Sequence, residues 1–237
     1  MKTLFLKLFI FMLSSVFHLS YANTLKEKNS YTELEPPLNL NVVGDKISIV
    51  EVFAYECSHC AELEPKFEAW ASKNKDRIEV HRIPLSLSEQ TKPLGNMYYA
   101  LNFLADKPLE KDPHLNNKIF VEVQKNVRSL LQTEAQGNFL AKHNVNKQKY
   151  LEIYNNLSTH LLKKVAPYNY TYEGVDKNIL DKFKINFVPV IVVDGKWLIK
   201  PQISHNPNIN IFDQMLSTAN KLVEKAIVEK NKSKLPK

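Results

Sequence analysis

The stretch K-I-S-I-V-E-V-F-A-Y-E-C-S-H-C, residues 46–60, decides how the rest of the chain is read. Its first ten residues, Lys46 to Tyr55, are rich in β-branched and aromatic side chains and nearly continuous in apolar character. Such a run suits a strand buried on both faces of a parallel or mixed sheet. It leads straight into Cys57 and Cys60, the only two cysteines in 237 residues. Beyond them Ala61, Leu63, Phe67 and Trp70 recur at helical spacing, so the pattern predicts a helix over residues 58–73, kinked at Pro65. Ile78 to Leu87 reads as a second strand, with Pro84 near its end.

Outward from this β-α-β start the pattern changes. Residues 94–104, 116–130, 134–142 and 147–165 carry helical periodicity with polar interruptions, and no run among them makes a convincing strand. After Pro167 the stretch Tyr168 to Tyr172 reads as an extended link, and residues 175–184 as a further helix. F-V-P-V-I-V-V-D-G-K-W-L-I, residues 187–199, then supplies two strands joined at Asp194-Gly195, a strong hairpin signal. Residues 209–226 close the chain as an amphipathic helix. The expected class is α/β, a thioredoxin-like fold split by an all-helical insertion. Residues 23–87 and 173–237 form its two parts, and residues 88–172 the insertion.

The first 22 residues stand apart. Met1-Lys2, an apolar run from Leu4 to Leu19 and the small-x-small pattern Ser20-Tyr21-Ala22 have the layout of a secretory signal peptide cleaved after Ala22. Lys7 falls inside the run, which argues against a permanent membrane span. Cleavage removes Lys2 and Lys7, so the formal net charge falls from +7 to +5. Mild basicity without clustered arginines, in an exported chain, argues against a nucleic-acid partner. The basic tail from Lys221 to Lys237 reads as a solvated helix face and a frayed end.

Export changes what two thiols mean. Cysteines in oxidising compartments usually form structural cross-links. A bridge between Cys57 and Cys60 closes too short a loop to restrain the unfolded chain much. Chemistry is the better explanation. Residues i and i+3 share a helix face, so the two thiols of C-x-x-C meet. Cys57 stands where strand becomes helix, and the positive end of the helix dipole favours an anion there. Cys57 is therefore the expected nucleophile of lowered pKa, and Cys60 the resolving thiol one turn deeper. Stabilising the thiolate stabilises the reduced form, by roughly 30 mV of potential per tenfold gain in acidity. His59 can assist through a hydrogen bond or positive charge, or simply face solvent. Ser58 offers a hydroxyl and N-cap chemistry, while the Glu56 carboxylate opposes the thiolate.

Two further residues interrupt their surroundings. Glu51 sits within an otherwise apolar strand, where a charge is costly unless paired and its pKa rises. Two readings are open: it accepts a proton, through water, as Cys60 becomes a nucleophile, or it pairs with Arg82 on the next strand. Pro189 opens a strand, where a missing N–H is tolerated at an end or edge. A cis bond there would turn the Val188 backbone toward a client segment for strand addition, although this local signal alone favours trans.

The chain resembles the DsbA family of periplasmic thiol-disulfide oxidoreductases. The matching features are C-S-H-C at 57–60 after an apolar strand, V-P at 188–189, D-G-K-W at 194–197, Y-T-E-L-E-P-P at 31–37 and the helical insertion. The resemblance implies that Cys57 exchanges with client thiols, that Cys60 resolves, that Val188 and cis-Pro189, with Ser58, meet the substrate, and that Glu51 is the buried acid near Cys60. It implies no cofactor beyond the redox-active Cys57–Cys60 disulfide. The implied partners are newly exported cysteine-containing proteins and a DsbB-like, quinone-linked membrane reoxidant, the chain itself being a monomer in the periplasm. Ser58 departs from the usual C-P-H-C pattern, and Pro167 breaks a region that is commonly one long helix. An isomerase or reductase would share these residues, but isomerases carry a dimerisation domain that residues 23–37 are too short to supply. A zinc module built on Cys57, His59 and Cys60 would need further ligands. His81, His114, His143, His160 and His205 show no companion spacing. A purely chaperone role leaves both thiols unexplained.

Overall fold

A computed structural model describes residues 30–37, 42, 44–157, 185, 187–202 and 208–233 of the chain. The expected leader, the tyrosine-rich link at 168–172 and the helix expected over 175–184 lie outside these residues.

The apolar stretch forms β2 (Ile47–Phe53), and all seven of its residues are buried. It earns that burial by position. β2 pairs in parallel with β3 (Ile78–Pro84) on one side and antiparallel with β4 (Val190–Val193) on the other. The hairpin partner β5 (Trp197–Ile199) and the two-residue β1 (Thr32–Glu33) complete a five-stranded sheet in the order β1-β5-β4-β2-β3. Asp194 and Gly195 turn the hairpin with φ of 53° and 65°, the left-handed pair that a two-residue turn requires.

Strand alternation sorts the core. Ile47 and Ile49 face Leu63 and Phe67 of α1 (Ser58–Asn74) and the apolar stripe of the last helix. Val50 and Val52 face the opposite side, with Leu34, Ile83, Leu85 and Val192. Each such side chain, fully buried, is worth about 1.5–3 kcal/mol. α1 continues across Pro65, which forgoes one backbone hydrogen bond to the turn before it.

Between β3 and β4 the described chain is helical: α2 (Lys92–Phe103), the single turn α3 (Pro108–Lys111), α4 (Leu115–Lys125), α5 (Thr133–Ala141) and α6 (Lys147–Asn155). The final helix α7 spans Ile211–Ser233, seven residues beyond the end that the periodicity predicts. Leu94, Met97, Leu101, Ile119, Phe120, Leu140 and Tyr150 of the helical segment share one core with Phe53, Tyr55 and Cys60. The insertion therefore packs against the cysteine pair itself.

Two local expectations change. The second strand stops at Pro84, not Leu87, because the Leu87 N–H bonds the Glu56 carboxylate at 2.8 Å instead of a neighbouring strand. The helix expected over 116–130 breaks after Lys125, where the Asn126 side chain accepts from the Arg128 N–H and starts a separate 3₁₀ turn, Val127–Leu130. The Val188–Pro189 bond is cis, as the resemblance implies and against its local signal; Glu35–Pro36 is cis as well.

Candidate active site

The end of β2 delivers Cys57 to the N-terminus of α1. Cys57 is the N-cap, with extended backbone (φ −84°, ψ 116°), and its Sγ accepts from the Cys60 N–H at 3.3 Å. Ser58 is therefore the first helical residue and not the cap, a correction to its expected N-cap role. Both cysteines are free thiols; Cys57 is half-buried and Cys60 buried. Across the groove Cys57 Sγ lies 3.6 Å from the Val188 carbonyl oxygen, to which the thiol donates. Residues 131 apart in sequence are thus brought together.

The two thiols sit in opposed environments. The Cys57 thiol is held down to about 6, chiefly by a hydrogen bond from the Cys60 thiol, with help from the Cys60 and His59 backbone N–H groups and the His59 charge. Partial burial works against this shift. The cap and the neighbouring thiol thus do more than the imidazole on which sequence reasoning leaned. The His59 side chain turns outward, 61% exposed, with its ring 6.0 Å from Phe212 and 4.0 Å from Glu62. The Cys60 thiol is pushed far above its usual range by burial and by Cys57, and the Glu51 charge adds to the rise.

Glu51 pairs with Arg82, the second of the two readings open to it. Its Oε2 accepts from Arg82 Nε at 2.7 Å, as the β2–β3 register places Glu51 opposite Arg82. Burial nonetheless raises its carboxyl to about 8, against the opposing pull of Arg82. Sequence reasoning missed the rest of this cluster. Arg82 also reaches Glu68 at 2.5 Å and Glu64 at 3.4 Å, so three carboxylates share one guanidinium. Glu64 is fully buried, and burial raises its pKa too. One oxygen each of Glu51 and Glu64 is buried with no hydrogen-bond partner among the described residues. The available signal was Glu64 at i+4 from Cys60, a charge on the helix face that carries Leu63 and Phe67 into the core.

Among the described residues no group of three or more His, Cys, Asp or Glu is arranged to hold a metal ion. No described helix is long and apolar enough to cross a membrane.

No family model matches the chain. It is 29% identical over 173 residues to the thiol:disulfide interchange protein DsbA of Burkholderia cepacia, covering 73% of this chain and 74% of that one. It is 27% identical over 225 residues to the protein of that name from Pseudomonas aeruginosa, covering 95% and 97%. The crystal structure of P. aeruginosa DsbA superposes with a TM-score of 0.64 at 24% identity, over 87% of this chain and 95% of that chain. Reduced DsbA1 from Neisseria meningitidis gives 0.63 at 20% identity, over 85% and 95%. At these identities the two structural likenesses speak to the fold alone.

Proposed function

We propose that the chain is a member of the DsbA family of thiol-disulfide oxidoreductases, to whose proteins it is 27–29% identical, and that it donates the Cys57–Cys60 disulfide to cysteine-containing client proteins. The observation that carries this reading is the contrast between the thiols: an acidic, half-exposed Cys57 above a buried Cys60 that resists ionisation.

A client thiolate attacks Cys57 Sγ. The Cys57–Cys60 bond breaks, its electron pair leaves on Cys60, and Glu51 supplies the proton that neutralises that buried sulfur. A second client thiolate then attacks the client sulfur of the mixed disulfide, and Cys57 departs as the thiolate. Two electrons pass from client to protein. Because the leaving thiolate is stabilised at the N-terminus of α1, the exchange favours the client disulfide.

Val188 and Pro189 form the client-facing wall. The Val188 carbonyl meets the Cys57 thiol, and an extended client segment would pair with this backbone as an added strand. Ser58 and His59 stand exposed on the near rim. Residues 1–22 act as a cleaved signal peptide, residues 23–87 and 173–237 as the sheet-bearing halves, and residues 88–172 as the helical insertion. The protein works as a periplasmic monomer with no cofactor besides its disulfide. A DsbB-like, quinone-linked membrane protein takes up the electrons.

Equilibration with glutathione buffers tests the direction. A potential well above that of thioredoxin, roughly −270 mV, is expected. A value as reducing as thioredoxin's overturns the donor assignment. Cys57→Ser abolishes oxidation of a reduced model protein while leaving the fold intact by circular dichroism.

A further inference from the structure

Behind the cysteines a line of hydrogen bonds leaves the sheet and enters the helical insertion. The Tyr55 hydroxyl donates to Asn116 Oδ1 at 2.5 Å, and Asn116 Nδ2 donates to Glu64 Oε1 at 2.8 Å. All three residues are buried: Tyr55 follows β2, Asn116 comes from α4, and Glu64 lies one turn past Cys60 in α1. Tyr55 occupies the amide oxygen, so the amide nitrogen faces the carboxylate. A buried amide with no backbone carbonyl to satisfy is an unusual element to send from one half of a fold into the charge cluster of the other.

We infer that Asn116 is a positioning residue for the disulfide exchange: by donating to Glu64 it holds that carboxylate ionised and so leaves the shared proton on Glu51, the acid that serves Cys60. This deepens the proposed function and rests on it. The groups facing Glu64 are Glu51 and Tyr55 from β2 and its end, Arg82 from β3, Tyr98 from α2, and Cys60 and Glu68 on its own helix. Arg82 alone is cationic among them. Glu51 and Glu64 compete for a proton beside one buried guanidinium, because burial raises both and the Glu64 charge raises Glu51 further. A hydrogen bond to the charged form decides which one yields. Asn116 gives that bond to Glu64, and the Glu64 charge in turn raises Glu51. The Glu51 charge is felt at Cys60, whose thiol it raises. Without the Asn116 donor the proton moves to Glu64, and Glu51 ionises at lower pH, too early to protonate Cys60 as it leaves.

The test follows a single turnover of the oxidised full-length protein with reduced glutathione from pH 6 to 10, expressed per glutathione thiolate. In the wild type the rate falls as pH rises through the Glu51 ionisation, near 8. Asn116→Leu moves this fall down by about half a pH unit or more. Glu64→Gln moves it the same way, Tyr55→Phe moves it less, and Asn116→Leu adds nothing in the Glu64→Gln background. A purely structural Asn116 would lower the melting temperature and leave the pH profile unmoved, which overturns the inference. A shift that persists undiminished in Glu64→Gln overturns the route through Glu64. If Asn116→Leu does not fold, Tyr55→Phe alone and in Glu64→Gln carries the same decision. Failure of the wild type to oxidise glutathione at any pH defeats the proposed function instead.

Discussion

Two polar networks buried among the described residues differ in kind. In the helical insertion Gln136, fully buried, donates to the Pro93 and Leu130 carbonyls at 3.0 and 2.7 Å and accepts from the Tyr150 hydroxyl at 2.6 Å. Every atom of that neutral set is satisfied, so it has one arrangement and nothing to titrate. Behind the cysteines, Glu51, Glu64 and Glu68 crowd one arginine, and two carboxylate oxygens have no partner among the described residues. The first network is complete; the second leaves acceptors unfilled. The first network fixes α5 against α2 and α6, whereas the second lies where a sulfur must gain and lose a proton.

That contrast breaks most visibly at its centre. Arg82→Met strips the only cation from the cluster and should cost about 3–5 kcal/mol near neutral pH, since it leaves buried carboxylates uncompensated. Urea denaturation at pH 7 and pH 5 checks this, and the deficit should shrink in acid as the carboxyls protonate. Gln136→Leu strands the Tyr150 hydroxyl and two carbonyls, and should cost about 1–3 kcal/mol by the same measurement. Its glutathione potential should not move. A shifted potential there would erase the distinction between the networks.

The pH dependence of stability comes next. Cys57 ionises more readily folded than unfolded, so its contribution to the reduced form is complete above its ordinary value of 9.0 and disappears as pH falls through about 6. The melting temperature of the reduced protein relative to the oxidised one should therefore rise from pH 6 to 9. Glu51 has the opposite sign. Its carboxyl is raised from 4.5 to about 8, so it favours the fold at low pH and that contribution is lost as pH climbs through this window. Glu51→Gln should flatten the decline, and the Cys57→Ser background isolates it. Smallest of all is Glu68→Gln. This carboxylate is the most exposed of the three, at 25%, and its loss should cost under about 1 kcal/mol.

Much of the architecture is legible before any coordinates, because β2, the hairpin and the main helices announce themselves by period and by Asp194-Gly195. The thiol pair is equally plain, and Glu51 stands out because a charge in a buried strand breaks its pattern. The rest of the site is hidden for a physical reason. Glu64 and Glu68 look like the polar side of an amphipathic helix until Arg82 and α4 are placed beside them. Asn116 is an ordinary polar residue at a helix start until the fold puts Tyr55, 61 positions earlier, against it. The cis Val188–Pro189 bond is a property of the assembled groove, and its local sequence argues the other way. The helix end at Lys125 turns on a single side chain, Asn126, which periodicity does not resolve.

The sheet order has a consequence for the newborn chain. β2 acquires its second neighbour only when β4 arrives, and Cys57 meets the Val188 carbonyl only across 131 residues. A partly made polypeptide thus lacks the wall that the Val188 backbone sets against Cys57. Only the finished sheet brings that wall to the sulfur, from the far end of the chain.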